Sequence, residues 1–343
     1  MGRLPETMRA VELRSYEGGA DSLALVERPL PRPGRGQVLV RVAASPVNPS
    51  DLMFLRGLYG QRKSLPVVPG FEGAGEVVAT GRGVLAHALA GKRVACAAPP
   101  DADGTWAEYV RTDAKLCIPL RKEVDTEQAA AMIVNPFTAW ALVERARKGG
   151  HEGVAQTAAA SALGRMLNKL AARKGVEVVN VVRRKEQVEL LRSEGARHVL
   201  DSGEKNFDER LADLCERLKV SLSFDAVAGE MTNRLLRAMR RGGTVVVYGA
   251  LSMEPCQADP RALIFEGKSV EGFWLSEWLR AKNALNRYQT ATQVQKLLAS
   301  DLRTQVRTRL PLEDAAKGLA EYEQNMTGGK VLLVPGGQTT CQA

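Results

Sequence analysis

Between residues 153 and 248, short apolar runs alternate with stretches of helical period. Residues 154–158, 176–182, 222–228 and 244–248 read as strands. Between them, Leu163, Met166, Leu167 and Leu170 recur at helical spacing, as do Phe207, Leu211, Leu214 and Leu218. Successive parallel strands need a long crossover connection, and helices of this length supply one. The alternation therefore predicts an α/β, doubly wound parallel sheet.

The flanking sequence has a different texture. Residues 1–125 read as a β-rich domain of distorted-barrel type. Runs such as 37–42, 75–80 and 92–97 have strand character, and Pro31, Pro33, Gly34, Pro46, Pro49, Pro66, Pro69 and Gly70 punctuate them. Helices are predicted over 126–134 and 136–147, the second starting on proline, whose missing N–H costs nothing there. Beyond the alternating region, one long helix is predicted over 275–299, a second over 312–325 and a terminal strand over 330–334. The expected organisation is a discontinuous domain, 1–125 with 276–343, around an inserted domain, 126–275.

Several function classes are disfavoured. Aromatic residues are 5% of the 343, too few for the stacking platforms of single-strand binders. The formal charge is +9, but the basic residues are scattered among acids, so nucleic acid is not an expected partner. Five well-separated cysteines argue against a disulfide framework and for a reducing cytoplasm. No secretory leader, membrane span or membrane role is expected. Gly2 lacks the context for myristoylation, and Cys341 lies too near the end for prenylation.

The unit 153–182 has the size of a dinucleotide-binding βαβ element. Its turn reads Thr157-Ala158-Ala159-Ala160-Ser161-Ala162-Leu163-Gly164. Small residues let backbone approach a pyrophosphate, and a helix start offers free N–H groups. Ala160, Ser161, Ala162, Leu163 and Gly164 are the candidate contacts, with Gly164 letting helix pack on strand. Only one glycine of the usual three is present, and by spacing alone a packed turn without ligand is the favoured reading. At the end of the next strand, NAD sites place an acid; this chain has Arg183, Arg184 and Lys185. Guanidinium binds phosphate in bidentate fashion, which suits the 2′-phosphate of NADPH. The alternative is a solvated helix start, although cations there oppose the helix dipole.

Eight stretches in order carry a resemblance: Asn48-Pro49-Ser50-Asp51, Tyr59-Gly60, Gly70-Phe71-Glu72-Gly73, Gly104-Thr105-Trp106-Ala107-Glu108-Tyr109, Asn135-Pro136-Phe137-Thr138-Ala139, Asn180-Val181-Val182-Arg183, Val247-Tyr248-Gly249 and Gly272-Phe273-Trp274-Leu275-Ser276. The chain resembles the medium-chain dehydrogenase/reductase superfamily over nearly its whole length, and most of all its zinc-free branch of quinone oxidoreductases and 2-enoyl thioester reductases. The resemblance implies a chaperonin-10-like β-rich catalytic domain, an inserted Rossmann domain, a cofactor in the cleft between them, and a homodimer. Zinc-dependent relatives carry Cys and His where this chain has Asn48 and Phe71, so no metal is expected. His87, His151 and His198 fall in no ligand pattern.

The same resemblance implies residue roles. Tyr59, in a glycine-flanked loop, donates to the oxyanion that develops as a polarised C=C accepts hydride. Asn48 approaches the nicotinamide ribose and Thr138 lies near the cofactor. Tyr248, Gly249 and Ala250, with Phe273, Trp274 and Leu275, bracket the nicotinamide, and Lys330 reaches the cofactor phosphates. The side chains of Phe273 and Trp274 read equally as core packing, and Lys330 as a solvated strand start. The expected activity is NADPH-dependent reduction of a small molecule such as a 2-enoyl thioester or enone. Quinone reduction is the alternative, and the alanine-rich turn keeps open a non-catalytic relative that binds nucleotide or RNA.

Overall fold

The computed structural model describes residues 3–336; Gly2 and Cys341 lie outside the described residues. The chain divides into two compact units, one drawn from residues up to Val134 and from Ala291 onward, the other Asn135–Thr290.

The first unit begins with a two-stranded ribbon, β1 (Thr7–Leu13) against β2 (Leu23–Pro29). Next comes β3 (Gln37–Pro46), which pairs antiparallel with β4 (Glu72–Thr80) and with β6 (Tyr109–Asp113). β5 (Arg93–Ala97) joins β4 to the short β7 (Cys117–Pro119). The apolar side of β3 packs with Val77, Val94 and Cys96 into one core cluster. A second cluster gathers Leu13, Phe54, Trp106 and Tyr322. Between β3 and β4 lies the helix Pro49–Leu55, started by a capping box in which Asn48 and Asp51 exchange side-chain and backbone bonds.

The second unit is the predicted parallel sheet. Its strands are β8 (Gly153–Gln156), β9 (Glu177–Val182), β10 (His198–Asp201), β11 (Leu222–Asp225), β12 (Thr244–Val247) and β13 (Ser269–Gly272). Their order is β10-β9-β8-β11-β12-β13, and every neighbouring pair runs parallel. The strand predicted over 222–228 stops at Asp225, because its carboxylate accepts the N–H groups of Val227 and Ala228 and turns the chain. The connecting helices Ala162–Arg173 and Phe207–Arg217 bury Met166, Leu167 and Leu170, and Phe207, Leu211 and Leu214, while the flanking Leu163 and Leu218 are half-buried.

The long helix predicted over 275–299 is two helices, Leu275–Ala281 and Ala284–Leu297. Lys282 adopts extended backbone, and the Asn283 side chain accepts the N–H of Asn286 at 2.8 Å, starting the second helix as a cap. Lys282 is anchored by Glu144 at 3.1 Å. The helix predicted over 312–325 likewise opens on a tight 3-10 turn, Leu312–Asp314, before Ala315–Gln324. Returning to the first unit, β14 (Val306–Leu310) and β15 (Lys330–Leu333) extend its sheet, with β15 seated between β14 and β3. Among the described residues no helix is long and apolar enough to cross a membrane.

Candidate functional site

In the first unit, a buried polar network forms where β3 ends. Asn48 is fully buried, and both ends of its side-chain amide are engaged. Its Nδ2 donates to Glu72 Oε1 at 3.0 Å, and its Oδ1 accepts from the Lys330 ammonium. The other oxygen of Glu72 accepts the N–H groups of Ile133 and Val134 at 2.8 and 2.9 Å, at the start of the helix Val134–Lys148. Lys330 also donates to the Val47 carbonyl at 3.0 Å. Asp51 Oδ2 accepts the Asn48 N–H at 2.8 Å. The resemblance implied that Lys330 reaches phosphate; its seat in a strand flanked on both sides instead directs the ammonium into this interior.

Two carboxyls and one ammonium thus share a water-poor site. Burial pushes the Asp51 carboxyl up to about 7, against the Asn48 N–H and the Lys330 charge, which favour the anion. Burial also raises Glu72 and lowers Lys330 to about 8; the charges of Glu72 and Asp51 oppose the latter shift.

Tyr59 packs against the second apolar cluster of this unit. Its ring lies 4.5 Å from that of Phe71, the residue next to Glu72, and Phe71 packs edge-on against Phe54. Tyr59 is half-buried in a loop that Gly57 opens in the left-handed region.

In the second unit, the predicted contacts other than Thr138 follow the C-terminal ends of the parallel strands, the edge where such sheets bind ligands. The turn after β8 shows how one glycine suffices. Ala158 takes a left-handed φ of 47°, the conformation a glycine would adopt without cost. At Gly164 a Cβ would lie 2.6 Å from the Ala159 carbonyl oxygen, so only glycine fits the helix against the turn. Ser161 caps that helix, its Oγ accepting the Gly164 N–H at 3.1 Å, and Ala160 is buried beneath. Below the turn, buried Gln156 donates to the Gly164 carbonyl and to Asn180 Oδ1.

Arg183, Arg184 and Lys185 follow β9 and are exposed; among the described residues none of the three has an ion-pair partner. Tyr248, Gly249 and Ala250 follow β12, and Gly249 passes close to Ala226. The Tyr248 hydroxyl is buried without a hydrogen-bond partner, and burial raises its pKa, reinforced by the Asp225 charge. Phe273, Trp274 and Leu275 follow β13, where the Phe273 N–H reaches the Val247 carbonyl at 2.8 Å. Thr138 is buried in the helix Val134–Lys148. Two groups had no role assigned from the sequence: Glu72, whose link to Asn48 spans 24 residues, and Asp225, whose partners lie in the turn after β8, in the loop that follows Asp225 and in the helix Glu230–Ala238.

The alcohol dehydrogenase GroES-like domain family matches residues 34–122, and the zinc-binding dehydrogenase family matches residues 162–290. An enoyl-[acyl-carrier-protein] reductase of Arabidopsis thaliana mitochondria is 32% identical, covering 76% of this chain and 71% of that protein. The crystal structure of a putative NADPH:quinone reductase from Mesorhizobium loti is 34% identical, covering 97% of this chain and all of its own, with a TM-score of 0.88. A mycobacterial structure complexed with NADPH is 27% identical over 96% of this chain, with a TM-score of 0.81. The chain belongs to the medium-chain dehydrogenase/reductase superfamily. The GroES-like part is the β-rich unit, and the parallel sheet is the Rossmann-type unit of a dinucleotide-binding oxidoreductase.

Zinc does not fit the residues present. At the two positions where zinc-dependent members supply Cys and His stand a carboxamide, Asn48, and a phenyl ring, Phe71. The amide oxygen already accepts from an ammonium, and a cation bonded there repels a second one. Among the described residues no cluster of three or more His, Cys, Asp or Glu could hold a metal.

Proposed function

We propose that this chain is a zinc-independent, NADPH-dependent reductase of a polarised C=C, such as that of a 2-enoyl thioester or enone. The observation that carries the reading is the Tyr59 phenol in tilted ring contact, at 4.5 Å, with Phe71, one of the two residues that stand where zinc-dependent members bind metal, while Asn48, the other, is locked by Glu72 and Lys330. Without a Lewis acid, charge developing on the substrate carbonyl needs a hydrogen-bond donor, and a phenol is one at neutral pH. The identity to enoyl reductases supports this substrate class.

The turn at 157–164 and the cations Arg183, Arg184 and Lys185 would hold the dinucleotide, the latter at its 2′-phosphate. Bound NADPH would supply a hydride. Tyr59 would hold the carbonyl oxygen, Asn48 would orient the ribose, and Thr138 with the segments 248–250 and 273–275 would shape the nicotinamide site. The likeness to NADPH:quinone reductase structures favours quinones as a second substrate class. We place the enzyme in the cytoplasm on its dispersed thiols, and read it as a homodimer: β13 is an open sheet edge, preceded by Ile264 and Phe265, 70% and 67% exposed.

The test is Tyr59→Phe. Enoyl thioester reduction should fall by roughly 10²-fold while NADPH affinity, read by tryptophan quenching, stays unchanged. Unaltered rates would remove Tyr59 from the reaction. A wild-type protein that bound neither NADPH nor NADH would leave a non-catalytic role as the better account.

A further inference from the structure

The strand order reverses between β8 and β11: from β8 the chain steps outward to β9 and β10, then crosses back to β11 and steps the other way. In open α/β sheets the crevice beyond such a switch point is where ligands enter. The last ladder bond across this pair runs from the Thr157 N–H to the Phe224 carbonyl, at 3.0 Å. Beyond it, side chains tie the two strand ends together. Thr157 Oγ1 donates to Asp225 Oδ1 at 2.8 Å and accepts the Ala226 N–H at 2.8 Å. The same Asp225 oxygen accepts from Val227 N at 2.9 Å and from Ala228 N at 3.3 Å. Its other oxygen accepts from Thr232 Oγ1 at 2.7 Å. Asp225 is fully buried, and Ala228 and Gly229 in the loop it holds both have left-handed backbone, φ 66° and 61°.

A buried carboxylate that accepts from four residues on both lips of one crevice does more than end a strand. We infer that Asp225 is a positioning residue of the dinucleotide site, holding the turn 157–164 and the loop 226–229 at a fixed separation so that a dinucleotide meets both. The inference rests on the nucleotide-binding reading and adds to it a residue that touches no cofactor atom. It acts through geometry: three donors converge on one oxygen, and a carboxamide oxygen can receive the same three. In Asp225→Asn the amide NH2 would face Thr232, whose hydroxyl can accept as readily as donate. Charge is lost and shape is kept. Asp225→Ala loses both, and Thr157→Val loses the bridge alone.

The experiment is fluorescence titration of the full-length wild-type protein and the three variants with NADPH, each checked for folding by circular dichroism and Tm. Amide hydrogen exchange over 226–229 is followed in the nucleotide-free proteins. The expected result is a Kd for Asp225→Asn within about threefold of wild type, a rise of about tenfold or more for Asp225→Ala, and a smaller rise, still above about threefold, for Thr157→Val. Exchange protection at Val227 and Ala228 should survive in the Asn variant and vanish in the Ala variant. If Asp225→Ala fails to fold, Thr157→Val and Asp225→Asn decide the matter. Wild-type affinity in Thr157→Val or in folded Asp225→Ala overturns the inference and leaves the reductase reading standing. Equal impairment of the Asn and Ala variants also overturns it, since charge rather than geometry would then matter. A wild-type protein that binds no dinucleotide overturns both.

Discussion

At the scale of single residues, the phosphate-type turn shows where a side chain is tolerated and where it is not. Ala158 and Gly164 lie six positions apart in one turn, yet the constraint on each is different. Ala158 pays for a left-handed φ of 47°, whereas Gly164 sits where a Cβ would meet backbone at 2.6 Å. Gly164→Ala should therefore destabilise by about 1–3 kcal/mol, because backbone cannot move aside as a flexible side chain does. Ala158→Gly should be neutral or stabilising by up to about 1 kcal/mol: relief of the left-handed cost offsets the greater chain entropy of glycine. Urea denaturation of the two variants checks both signs. The turn was legible as small residues before a helix. Which one had to be glycine was not, because the clash is with the carbonyl of Ala159 and exists only once the helix is packed.

Lys330 makes a second residue-scale case. Removing its charge leaves Glu72 and Asp51 as buried carboxyls without a cation, which should cost about 3–5 kcal/mol at pH 7.5 in Lys330→Met. The pH dependence follows from Asp51, whose carboxyl rises from 3.8 to about 7 on folding. A raised carboxyl contributes stability fully present below its unfolded value and lost as pH rises through its folded one. Without Lys330 both carboxyls rise further, so the gap between variant and wild type should shrink on going from pH 7.5 to pH 5. Urea unfolding at the two pH values measures it; a gap that widened toward acid would refute the assignment.

At the scale of elements, period and punctuation read four strands of the parallel sheet, each with an apolar run, but not β10 or β13, whose four residues, His-Val-Leu-Asp and Ser-Val-Glu-Gly, are too short and too polar to stand out. They failed at 275–299, where composition is helical throughout but the chain breaks. The break is made by Lys282, held out by Glu144 on another helix, and by the Asn283 cap. Tertiary anchoring overrides helix propensity here, and a window of sequence does not contain the anchor. Asn283→Ala should cost about 1 kcal/mol, the ordinary worth of a cap, with Tm lowered by a few degrees. Removal of the cap without effect would mean that Lys282 alone makes the break. The network around Asn48 was half legible for the same reason: the family motifs contained Asn48 and Glu72, but the strand that brings Lys330 to them arrives 282 residues later.

For the molecule as a whole, the +9 charge and the three cations after β9 act on an anionic cofactor in separable ways. A net positive field raises encounter with any anion, and salt screens it with a Debye length of about 8 Å at physiological ionic strength. A guanidinium pair closing on a 2′-phosphate is a local contact, and it discriminates between NADPH and NADH because only one of them carries that group. Arg183→Ala/Arg184→Ala should therefore raise the Kd for NADPH by about 10-fold to 100-fold while moving that for NADH by less than about threefold. Added salt should weaken both ligands in the wild type, NADPH more steeply, and the variant should narrow the difference between the two slopes. Titrating both nucleotides at two salt concentrations separates the contributions. If the double substitution weakened NADH as much as NADPH, the cations would serve only the general field, and cofactor selectivity would have to reside elsewhere in the second unit.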